Sequence, residues 1–236
     1  MKVIILDSET NKEATDKIIA STNSQNAVPP VLLRATDGIQ RKIEMYFYNE
    51  GYFYDRRKNF YKNVGKPASK IFTIQSTAQA VQAIVHRECD TARAKPTTLI
   101  KTEESYDKIF NEETPFKIYL TCALINRCVR DYIKMHLSKE KKSLAKVYVW
   151  HMSQCLVTVL TGKGDYSKKD ISDIDLTSIS ERDYNDSFNI LIELVDEFKL
   201  TSKTTNDSSV SKSGKFRDFL NDEISSKITN NCKSTA

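Results

Sequence analysis

Glycine and proline are scarce in this chain, six and five in 236 residues. That scarcity argues against a turn-rich β sandwich and against a phosphate loop built from glycines. Tryptophan occurs once, and the three histidines are too scattered to suggest a metal site. The five cysteines (Cys89, Cys122, Cys128, Cys155, Cys232) are odd in number and contain no C-x-x-C pair. They fit reduced thiols in the cytoplasm better than a disulfide framework. No apolar run approaches the roughly 18 residues that a membrane span needs. The apolar core of Met1-Lys2-Val3-Ile4-Ile5-Leu6-Asp7 is too short for a signal peptide and reads as a strand. These absences point to a soluble cytoplasmic protein with no membrane partner.

Charge is what the chain has, and it is unevenly placed. Between Arg34 and Lys70 lie nine basic and four acidic residues, a local +5 equal to the net charge of the whole chain. Such a window is the electrostatic footprint of a polyanion site, or a solvated face. Within it, Tyr52-Phe53-Tyr54-Asp55-Arg56-Arg57-Lys58-Asn59-Phe60-Tyr61-Lys62 interleaves aromatics with cations in strand-like alternation. That mixture suits stacked bases and paired phosphates. It equally suits an ordinary surface strand with Tyr52 and Tyr54 packed inward.

Periodicity predicts a mainly α (α+β) fold, with a short N-terminal β element followed by a helical bundle. A strand at 2–6 and a helix to about Ser21 precede the amide-rich stretch Thr22-Asn23-Ser24-Gln25-Asn26, which Pro29-Pro30 closes. This stretch reads as a helix end whose side chains can hold a ligand, or as a plain C-cap and loop. Asp37 is placed to cap a helix over 38–49 with Ile39, Ile43, Tyr46 and Phe47 inward. A short strand at 70–74 leads to a helix capped by Thr77. Further helices are predicted over 102–110, 116–137, 147–160 and 184–200, the last with Asp183 as cap, joined by a polar connection at 165–180. The expected organisation is an α+β portion at 1–75, a bundle at 76–200, a flexible linker at 201–214 and a terminal helix and tail at 215–236.

Catalytic patterns are weak. Asp175 followed by Glu197-Phe198-Lys199, or Glu140-Lys141-Lys142 alone, is the spacing of a metal-dependent nuclease, but such E-x-K triplets belong on strands and these lie in helical patterns. His151, inside an apolar helix, reads as a packed core residue. Gly162-Lys163-Gly164-Asp165 lacks phosphate-loop spacing and reads as a turn after a buried helix.

The T-N-S-Q-N stretch and its Pro-containing turn, followed by Asp37-Gly38-Ile39-Gln40, resemble the abortive-infection phage-resistance (AIPR) family of bacterial defence proteins. The resemblance continues at Gly51-Tyr52-Phe53-Tyr54-Asp55-Arg56-Arg57-Lys58, at Ala78-Gln79-Ala80-Val81-Gln82-Ala83-Ile84 and at Tyr106-Asp107-Lys108-Ile109-Phe110. It covers roughly residues 1–135. More distantly, the T-N-S-Q-N turn resembles the Asn-containing turn of ParB-like domains, which act on DNA or nucleotides. The resemblance implies antiphage defence in a bacterial cytoplasm. Family members carry a longer N-terminal part with an Asn-Gly-x-Gln-Thr-like motif, so the chain is expected to be a C-terminal portion.

Three functions follow as expectations. In the first, a binding module, Asn23, Gln25, Asn26, Asp37, Gln40 and Tyr54 hold a nucleotide or base while Arg56, Arg57, Lys58 and Lys62 contact phosphates. The second is a nuclease or nucleotide hydrolase with Asp37, Gln40 and Asp55 near a metal. Its site would be shared with the missing N-terminal half, and Mg²⁺ enters only in this case; otherwise no cofactor is expected. The third is a helical domain that binds a protein, either that half or another defence protein.

Overall fold

The structure is a computed structural model that describes residues 34–233, with side chains described as far as 228. The strand and helix expected before the amide-rich stretch, together with Asn23, Gln25 and Asn26, lie outside the described residues. Among the described residues there are twelve α-helices, three short 3-10 turns and two strands, a mainly α fold with a small β element toward its N-terminal side. They divide after Ile74 into two compact units.

In the first unit, α1 (Gly38–Asn49) follows Asp37, as the capping position predicts. The Asp37 side chain makes no cap bond and lies 3.7 Å from the Arg34 guanidinium. Gln40, Ile43 and Phe47 form the buried face at helical spacing. Two short strands, β1 (Phe53–Asp55) and β2 (Ile71–Thr73), pair in parallel with Tyr54 opposite Phe72. The Phe47 ring meets Tyr54 at 5.0 Å and Phe72 at 5.9 Å, and these three rings are the centre of a small core. Parallel strands need a crossover. Here it holds the one-turn helix α2 (Phe60–Asn63) and a 3-10 turn at Ala68–Lys70. The strand-like alternation over 52–62 therefore stops at Asp55. Asn59, in the turn that follows, adopts a left-handed backbone (φ 64°), which Asn tolerates better than most residues.

The second unit is helical: α3 (Ile74–Ile84), α4 (Cys89–Ala94), α5 (Glu103–Ile109), α6 (Phe116–His136), α7 (Lys139–Val147), α8 (Val149–Thr161), α9 (Lys168–Asp173), α10 (Glu181–Ser202), α11 (Asp207–Val210) and α12 (Gly214–Lys233). α3 starts directly off β2, so Thr77 is a buried residue within the helix instead of its cap. The helix expected over 102–110 is α5, and Thr102 caps it, accepting the Ser105 N–H at 3.3 Å.

The centre is α8, buried at ten consecutive residues, Val149 to Thr158. A helix buried on every side, though it carries His151, Ser153, Gln154 and Thr158, must be covered by neighbours. α6, α10 and α12 pack on it. Gly162 ends it in a left-handed conformation (φ 66°), where a side chain would be strained. His151 is fully buried between the Tyr148 and Phe216 rings, and neither ring nitrogen has a hydrogen-bond partner. Burial, with Arg93 adding to it, pushes its pKa down to about 3, so it packs as a neutral ring.

Two helices begin with reciprocal capping boxes: Ser167 with Asp170 at α9, and Ser180 with Asp183 at α10. Asp183 is thus the third helical residue of its box, and Ser180 is the cap. The stretch 201–214, expected to be a flexible linker, carries structure. Asn206 caps α11, Val210 and Ser211 are buried, and Tyr148 and Lys199 both bond Asp207. No helix among the described residues is long and apolar enough to cross a membrane.

Candidate nucleic-acid interface

The first unit gathers its polar side chains around the crossover. Glu44 shares a helical face with Gln40 and Phe47. Its carboxylate accepts hydrogen bonds from Arg56 Nε at 2.6 Å and from the Tyr61 hydroxyl at 3.0 Å. Arg56 also donates to the Ala35 carbonyl. The Tyr54 hydroxyl donates to Gln40 Oε1 at 2.6 Å, with both side chains fully buried. Asp55 accepts the Tyr61 backbone N–H at 2.9 Å. Burial first, then the Glu44 carboxylate, pushes the Tyr61 phenol up to about 12, so at neutral pH it remains a donor.

This clamp holds the turn between β1 and α2 from both ends and consumes the nearby acids. What it leaves outside is cationic. Arg57, Lys58 and Lys62 are exposed and form no ion pair with a described residue. Phe60 is 50% exposed and, with Glu44, Arg56 and Arg57, lines a hollow of about 150 Å³. Lys66 sits over the Phe53 ring at 5.0 Å. Point charges beside an open aromatic ring can pair phosphates and pack a flat apolar surface.

A family model described as AIPR protein matches residues 1–209. The chain belongs to the AIPR family. No curated protein and no solved structure matches it. The AIPR match runs past residue 135, where the ordered motifs give out, and takes in the helices as far as α10 and the start of α11. Membership associates the chain with abortive-infection phage resistance.

Against that frame of geometry, the candidate residues of this AIPR protein separate. Gln40 and Tyr54, expected to contact a ligand, are core residues bonded to each other and present no surface to one. The reason is spacing: Gln40 falls on the buried face of α1, and Tyr54 points inward from β1. Arg56, expected to contact phosphate, is neutralised by Glu44 and holds the turn in place. Arg57, Lys58 and Lys62 remain available. Asp37 lies beside Arg34, and Asp55 is engaged by the Tyr61 backbone. No group of three or more His, Cys, Asp or Glu among the described residues is arranged to hold a metal.

Glu44 and Tyr61 are the residues that sequence reasoning missed. Their signal was present in part, since Glu44 sits four residues after Gln40 on the face that Phe47 continues. In the helical unit, the E-x-K triplets lie on helices, with Glu197 bonded to Lys227 and Lys199 to Asp207. A hollow of about 520 Å³ there is lined by Gln82, Glu88 and Lys108 among others, and Gln82 and Lys108 both bond Glu88.

Proposed function

We propose that this AIPR chain serves antiphage defence in the bacterial cytoplasm as a nucleic-acid-binding module, with the turn between β1 and α2 as its phosphate contact. The observation that carries this reading is the imbalance at the turn. Every acid near it is engaged, whereas Arg57, Lys58 and Lys62 are exposed and without an ion pair to a described residue. Three exposed cations within six residues, without an ion pair to a described residue, attract a polyanion, and the phosphates they neutralise release counterions.

The test is salt dependence. Affinity of the full chain for a labelled oligonucleotide, measured from about 50 to 200 mM salt, is expected to fall on a log–log plot with a slope of about −0.7 to −0.9 per phosphate contact. Replacing Arg57, Lys58 and Lys62 together by Ala is expected to make that slope shallower by about two and to weaken binding at least tenfold. A flat salt response, or a triple variant that binds as well as the parent, would remove the proposal.

A further inference from the structure

Resting on that reading, a second feature of the same unit bears on which nucleic acid it takes. Four aromatic rings follow one another across α1, β1 and α2. Tyr48 lies 6.4 Å from Phe53, Phe53 lies 5.0 Å from Tyr61, and Tyr61 lies 5.0 Å from Phe60, centroid to centroid. The middle of this row is half-buried, but its two ends are open: Tyr48 is 62% exposed and Phe60 is 50% exposed. Single exposed apolar side chains need no explanation. Here two of them terminate one continuous row.

Cations flank the row. Lys66 covers the Phe53 ring, Arg57 shares a hollow with Phe60, and Lys58 and Lys62 lie within two residues of Phe60. Stacking rings beside phosphate-pairing cations are of use only to a ligand that offers base faces as well as phosphates. A duplex keeps its base faces inside the stack and shows only edges and backbone. A single strand offers both, and its bases stack on aromatic side chains with little regard for sequence. The positive surroundings, nine basic residues against four acidic ones over 34–70, select an anionic strand over an apolar protein partner.

We infer that the ridge binds single-stranded nucleic acid, with bases stacked on Tyr48 and Phe60 and phosphates on Arg57, Lys58 and Lys62. Fluorescence anisotropy of the full chain against four labelled probes of equal length tests this: single-stranded DNA, single-stranded RNA, a DNA duplex, and an abasic single strand carrying the same phosphates. At least one base-bearing single strand is expected to bind about tenfold or more tighter than the duplex and the abasic strand. Phe60→Ala and Tyr48→Ala are each expected to lower that affinity about tenfold and to leave duplex binding and the unfolding midpoint unchanged, while Phe60→Trp keeps it. Equal affinity for all four probes, with the salt slope intact, would overturn the stacking inference and leave the phosphate contact standing. Full competition by polyglutamate at matched charge would likewise overturn it. Binding to none of the probes would overturn both.

Discussion

In the unit that ends at Ile74, Arg57, Lys58 and Lys62 stand exposed with no ion pair to a described residue; in the unit that starts at Gln75, lysines such as Lys139, Lys141 and Lys146 are exposed too, but several other charged side chains are paired between distant parts of the chain. Lys227 bridges Glu193 and Glu197, Lys199 meets Asp207, Arg87 meets Asp165 and Arg217 meets Asp90. Partly exposed pairs of this kind add little stability each, on the order of 0–1 kcal/mol. Their effect is on the field. The window 34–70 holds the whole net charge of the chain, and the remainder sums to zero. The cores differ in the same direction. The first unit is built around a few rings and one buried hydrogen bond, whereas the second buries ten consecutive residues of one helix. The chain's net positive charge is thus concentrated in the window 34–70, whereas the larger core lies in the second unit.

The sharpest way to break this contrast is to damage the larger core. Phe216 is fully buried against Tyr148, His151 and Phe198, so Phe216→Ala is expected to cost about 3–5 kcal/mol in denaturant unfolding of the second unit. A cost below about 1 kcal/mol would mean that α12 contributes little to the core.

Acid offers a milder probe. The folded pKa of His151 lies near 3, below its ordinary 6.5, with burial as the main cause. The unfolded chain therefore binds a proton that the folded one refuses. Stability is complete above about pH 6.5 and declines as pH falls toward 3, by at most a few kcal/mol from this residue. His86, held down to about 4 by burial and by Lys108, acts in the same window. His151→Leu is expected to flatten this acid limb without removing it. An unchanged slope in urea titrations between pH 7 and 4 would show that the imidazole finds a way to protonate in place.

The smallest effect belongs to the first unit. Tyr54→Phe leaves Gln40 Oε1 buried without its 2.6 Å donor and is expected to cost about 1–3 kcal/mol. The unfolding midpoint of that unit, followed by hydrogen exchange at β1 and β2, reports it. No change would mean that the small core rests on its rings alone.

Much of the helical unit was legible in the residues. α6 and α10 carry apolar stripes at helical spacing, Thr102 marks a helix start, and α8 is too apolar to be anything but buried. The start of α10 was misread by three residues because Asp183 looks like a cap in isolation; only Ser180, three positions earlier, reveals the reciprocal box. The same S-x-x-D pattern at Ser167 marked α9 inside what reads as a polar connection. In the first unit, the aromatic alternation over 52–62 hid the end of β1 at Asp55, since the turn that follows, with Asn59 left-handed, leaves no mark on side-chain periodicity. The candidate site was half legible. Local charge located the turn, but the division of labour among its cations depends on Glu44, twelve residues from Arg56 in sequence and joined to it only by the fold.

That carboxylate has a consequence for how the surface can vary. Glu44 holds the root of the cationic turn through Arg56 and Tyr61, while its own charge opposes the anion the turn would meet. Trading Glu44 for a neutral residue would make the chain more positive and at the same time remove the acceptor that Arg56 and Tyr61 share.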